Sequence, residues 1–157
     1  MRLKRFFCWF VSLLLVGVSP LANGHGYQLG DLKIIHPWAM PTAASRHGGA
    51  GGMGFVIVRN GGQIADKLLS ISAAITQKIE INQNLKSDQP AMQQTEALEI
   101  PAGAEVRLEP GGSHLMFMSL KKPLVEGDYF PITLQFERAG KITVDMVVQM
   151  QAKEAIY

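Results

Sequence analysis

Most of the chain reads as short β-strands separated by turn residues. "GDLKIIHPWAM" alternates apolar and polar positions towards Trp38 and is predicted to break at Pro37 and Pro41. "MGFVIVRN" is a strand ended by the turn Asn60-Gly61-Gly62. "DKLLSISAA" and "QKIEINQNL" are two further strands around 73–76, and "KSDQPAM" is predicted to be a polar turn. Between 97 and 120, short strands are punctuated by Pro101-Ala102-Gly103 and Pro110-Gly111-Gly112. "YFPITLQFERAGKITVDMVVQM" is a hairpin turning at Ala139-Gly140, with Met146 on its core face and Met150 exposed. Turn signals recur at short, even intervals and no long stretch has helical periodicity, which predicts an all-β, Greek-key β-sandwich. No repeat, low-complexity tract or interdomain linker interrupts it.

The first residues stand apart from this pattern. "MRLKRFFCWFVSLLLVGVSPLANG" has a basic start, a short apolar run from Phe6 to Val18, and small residues at Ala22 and Gly24. This is the layout of a cleaved secretory signal peptide, and the run is short for a membrane span. The expected division is therefore a signal peptide at 1–24 and a single domain at 25–157. The expected route is secretion, with no membrane attachment after cleavage.

Removing the leader changes the charge. It takes away Arg2, Lys4 and Arg5 and no acidic residue, so 15 Lys+Arg against 13 Asp+Glu becomes 12 against 13. The basic character belongs to the leader, and nucleic-acid binding loses its electrostatic basis. The single cysteine, Cys8, leaves with the leader and sits within the apolar run, unlike a lipid-bearing cysteine. The remaining chain has neither thiol nor disulfide and must be held by its core, for which its length suffices.

Candidate chemistry lies in "PGGSHLMFMSL". Successive side chains of a strand point to opposite faces, so His114, Met116 and Met118 share one face and Leu115 and Phe117 the other. The glycine turn puts His114 near the end of its strand, within reach of an ion. Imidazole nitrogen and thioether sulfur suit copper, and thioether suits Cu(I) in particular. Magnesium or calcium would need carboxylates, which this stretch lacks. Methionine is also a common core filler, and Met118, deeper along the strand, is expected in that role.

Residues 26–148 resemble the periplasmic copper chaperone family known as PCuAC. The segments that carry the resemblance are "GDLKIIHPWAM", "MGFVIVRNGG", "ADKLLSISA", "KIEI", "PITLQFERAGKITVDM" and, above all, "LEIPAGAEVRLEPGGSHLMFMSLKKPLVEGD". The resemblance implies a cupredoxin-like sandwich that holds Cu(I) at one end and delivers copper towards cytochrome oxidase. Its partners would be the copper ion and either an oxidase subunit or another copper chaperone. His114 and Met116 match the family's His-x-Met pair, and Met92 matches its upstream methionine. These three residues are the implied metal site.

One position departs from the family. Where the family has a histidine, this chain has Asn82, within "IEINQN", and Asn84 stands where a methionine accompanies that histidine. An amide oxygen is a hard donor and a poor Cu(I) ligand. His25, His47 and Met40 are candidate replacements, Met40 itself standing where the family has arginine. His36, in "HPWA", is expected to be structural, packing with Trp38.

The alternative reading is a relative that kept the fold, lost the site, and serves as an interaction module in the cell envelope. Enzyme motifs are absent: there is no GxSxG or HExxH, and "RHGGAGGMG" precedes a strand and lacks the Lys-Ser/Thr ending of a phosphate loop.

Overall fold

The computed structural model describes residues 26–43, 51–84 and 92–150. The expected leader, His25 and His47 lie outside the described residues. Within these residues the protein is all-β, with no helix. The strands are β1 (Gly26–Leu29), β2 (Leu32–Ala39), β3 (Gly52–Asn60), β4 (Asp66–Ser72), β5 (Lys78–Asn84) and β6 (Met92–Thr95). They continue with β7 (Leu98–Ile100), β8 (Glu105–Leu108), β9 (His114–Met118), β10 (Tyr129–Phe136) and β11 (Lys141–Val148).

All eleven belong to one sheet, in the order β6-β5-β9-β3-β2-β11-β10-β4-β7, with β1 added to β2 and β8 to β3. Only the β2–β11 pairing is parallel among those described. Strands β6 and β7 lie at opposite ends of this path, yet only Glu96 and Ala97 separate them in the chain. The sheet therefore curls until its edges nearly meet, which gives the cupredoxin-like, almost closed barrel.

The inward positions of the alternating strands form the core: Val56 and Val58 from β3, Leu115 and Phe117 from β9, Ile132, Leu134 and Phe136 from β10, and Val144, Met146 and Val148 from β11. Met146 is fully buried on the core face of β11, and Met150, beyond the end of that strand, is exposed, both as expected. Phe117 meets Phe130 edge to face, with centroids 5.8 Å apart, a favourable aromatic geometry.

Two sequence expectations are corrected. Pro37 does not end its strand. The chain bulges there, His36 takes a positive φ of 46°, and the β2–β3 register shifts between Ile35 and Trp38 before pairing resumes. A bulge accommodates a residue that cannot donate to the ladder. The second correction concerns "MQQT", 92–95, which forms the edge strand β6 although "KSDQPAM" reads as a turn running through Met92. Its polar side chains hid it, because an edge strand needs no apolar alternation.

Glycine in β3 fixes how β9 docks. A Cβ on Gly54 would stand 2.7 Å from the tip of the Phe117 ring, and one on Gly52 would stand 3.3 Å from the same ring. The two glycines thus leave the floor on which Phe117 lies.

At the far hairpin, buried Asp66 accepts hydrogen bonds from the backbone amides of Lys67 (2.7 Å), Arg138 (2.9 Å) and Ala139 (2.9 Å). Burial alone would raise its pKa. The three amides and the nearby Arg138 charge outweigh that and hold it below the ordinary aspartate value.

Two stability changes are expected. Gly54→Ala should cost about 1–3 kcal/mol, because the packed Phe117 ring must move, read as a lower urea midpoint. Asp66→Asn should destabilise at pH 7 by about 1–3 kcal/mol through lost acceptor capacity. Because the folded-state pKa is depressed, the carboxylate's contribution is complete above the ordinary aspartate value and is lost as pH falls through the folded-state value. The gap between wild type and Asp66→Asn should therefore narrow on acidification, as followed by denaturation across pH.

Candidate metal site

The turn before β9 is built by its own backbone. The Glu109 amide donates to the Ser113 carbonyl (2.8 Å), the Gly112 amide donates to the Glu109 carbonyl (3.0 Å), and Gly111 supplies a positive φ of 78°. This closed loop aims the Gly112 carbonyl at His114, whose Nδ1 lies 3.1 Å from that oxygen. A carbonyl can only accept, so Nδ1 carries a proton, and in the neutral ring the lone pair is on Nε2. That is the arrangement by which metal-binding histidines are oriented and their basicity raised.

Strand β9 lies between β5 and β3. On the β5 side, Asn82 stands opposite His114, Glu80 opposite Met116, and Lys78 opposite Met118. On the β3 side, Met53 stands opposite Met116. Directly opposed residues share a face. His114, Met116 and Met53 are therefore on the outer face, while Leu115 and Phe117 are completely buried on the inner one.

His114 and Met116 are half-buried, whereas Met118 is 39% exposed. The expectation that Met118 fills the core is thus corrected. The face of His114 is the outer face along the whole strand.

Two further interactions shape this face. The Glu80 carboxylate is occupied by the Lys78 ammonium at 2.7 Å. The Asn84 amide donates to the Ser113 hydroxyl at 2.9 Å and fastens the end of β5 to the turn that carries His114. Among the described residues no cluster of three or more His, Cys, Asp and Glu forms a hard-donor site. What this face offers a soft ion is imidazole nitrogen and thioether sulfur.

Met92 opens β6, opposite Asn84, and Gln94 stands opposite Asn82. The backbone register thus puts position 92 on the same face as His114, two strands away, with β5 between them. Asn82, the position where the resembled family has histidine, is in the row of His114 itself.

His36 lies elsewhere: the Gln149 side-chain amide donates to its Nε2 at 2.9 Å. Trp38 packs on Phe55, with ring centroids 4.5 Å apart and the planes tilted by 35°. Met40 continues from β2, its amide donating to the Met53 carbonyl at 3.0 Å. Met53 was not singled out as a ligand by the sequence. The available signal was its place between two glycines in "GGMG", which marks a strand position whose neighbours face inward and lack side chains.

Comparison with known proteins agrees with this architecture. The model of the LpqE-like family, described as lipoproteins, matches residues 32–148, and the chain belongs to that family. Protein Lxx21020 of Leifsonia xyli subsp. xyli, which carries a lipoprotein designation, is 26% identical over 130 residues, 82% of this chain and 75% of that protein. The copper-bound PCuAC domain from PmoF2 superposes with a TM-score of 0.69 at 26% identity, over 80% of this chain and 97% of that domain. The apo PCuAC domain from PmoF1 gives 0.67 at 26% identity, over 80% and 98%. The Cu(I) form of DR1885 from Deinococcus radiodurans gives 0.63 at 20% identity, over 84% and 85%, and shares the fold. The PCuAC resemblance read from the sequence is thus shown.

The link between the turn and β5 is testable. Ser113→Ala should speed hydrogen exchange of the Asn84 amide by about 2- to 10-fold, the equivalent of one net hydrogen bond, while core amides of β10 and β11 keep their protection.

Proposed function

We propose that this chain is an exported Cu(I)-binding chaperone, with His114 and Met116 as its central ligand pair and Met92 as a further sulfur donor. The observation that carries this reading is the His114 ring. Its Nδ1 is committed to the Gly112 carbonyl, its Nε2 has no hydrogen-bond partner among the described residues, and a thioether sits two residues on along the same face. The donors suit the ion, since copper in its monovalent state favours soft, neutral ligands over amide or carboxylate oxygen. The copper-bound PmoF2 domain, which shares the fold at 26% identity, supports copper as the cargo.

Transfer follows from the same chemistry. Thioethers bind without a charge of their own and are displaced by an incoming thiolate or a further imidazole, so the ion moves by stepwise ligand exchange. His114 keeps its orientation throughout, because its anchor is backbone. The proposed role is carriage. The route is export through a cleaved leader at 1–24 into the periplasm and delivery towards the copper centres of cytochrome oxidase, directly or through another copper chaperone.

Asn82 opposite His114 favours the second reading, a degenerate relative acting as an interaction module in the envelope. An anaerobic competition titration with a chromophoric Cu(I) chelator separates the two. His114→Ala and Met116→Ala should each weaken Cu(I) binding by about tenfold or more, equivalent to about 1.4 kcal/mol. Unchanged affinity in both variants would leave the interaction module as the surviving interpretation.

A further inference from the structure

Resting on the copper reading above, we propose that Met53 is a direct Cu(I) ligand, closing a His114–Met116–Met53 site in place of the histidine that this chain lacks at Asn82.

The argument begins with register. Met53 and Met116 are directly opposed on neighbouring antiparallel strands. Such pairs hold their Cβ atoms about 4.5–5.5 Å apart. Two unbranched thioether side chains, each with three rotatable bonds, readily bring their sulfurs to one ion from that distance. Position 92 starts from a longer separation, since β5 intervenes between β6 and β9. Each strand step adds about 4.8 Å.

The orientation of Met116 is compatible with this. Its sulfur lies 3.8 Å from where a Cβ on Gly51 would stand, so the thioether leans to the β3 side of β9, just before that strand begins. On the other side of Met116 stands Glu80, which is engaged with Lys78.

Exposure is also suitable. Met53 is 39% exposed and is not needed by the core, because its neighbours Gly52 and Gly54 receive Phe117 on the inner face. Met40, hydrogen-bonded through its backbone to Met53, extends the thioether row by one strand. It would give the ion its next sulfur on the way out.

The test uses the leader-free protein labelled with 13C at the methionine methyl groups and titrated anaerobically with Cu(I). The Met53 and Met116 methyl resonances and the His114 ring protons should shift together and saturate at a single stoichiometric point. Met53→Leu, which preserves the apolar bulk of an exposed position, should weaken Cu(I) binding by about tenfold without changing the thermal midpoint. Shifts at Met116 and Met92 with Met53 unmoved would overturn this inference and leave the chaperone reading standing. No shift at any methionine would overturn both.

Discussion

The contact on which the rest of the molecule depends is Phe117 lying on the glycines of β3. The ring fits only because positions 52 and 54 have no Cβ to meet it. Once seated, it fixes β9 against β3 in a single register, since a slip by one residue would turn Phe117 and Leu115 outward into water. The same register decides what the outer face carries. His114, Met116 and Met53 are grouped there because Leu115, Phe117, Gly52 and Gly54 are grouped within. Core packing and ligand placement are two sides of one strand pair.

The site needs little from the rest of the protein. A loop of backbone hydrogen bonds from Glu109 to Ser113 orients the imidazole, and the Ser113 hydroxyl holds β5 in place beside it. None of these anchors is a charged side chain. An ion carried by neutral donors keeps its own charge, and the neighbouring Glu80 carboxylate, though paired with Lys78, offsets part of it. Under the proposed reading, soft neutral donors of this kind would let the ion pass to a stronger ligand set.

Much of this was legible in the sequence, because alternation and turn residues are local signals. Most of the strands, the Asn60-Gly61-Gly62 and Ala139-Gly140 turns, and the shared face of His114 and Met116 could be read directly. Three things could not. The bulge at His36 and Pro37 looks like a strand end, because proline signals the same loss of an amide whether pairing stops or resumes. The strand β6 is almost wholly polar and belongs to a sheet edge, so no apolar period announces it. The pairing of Met53 with Met116 joins residues far apart in the chain, and only sheet order decides it. Met118 shows the same limit: depth along a strand says nothing about burial when the whole face is outward.

The outward placement of these methionines has a chemical price. Thioethers escape disulfide exchange but not oxygen transfer, and Met53 and Met118, each 39% exposed, are open to it. A sulfoxide presents a hard oxygen and a bulkier, polar head where a soft sulfur stood. Because neither side chain supports the core, the barrel would survive this damage intact. A chain oxidised on this face would remain folded and exported while its grip on the metal faded, and a methionine sulfoxide reductase would restore it without any need for new synthesis.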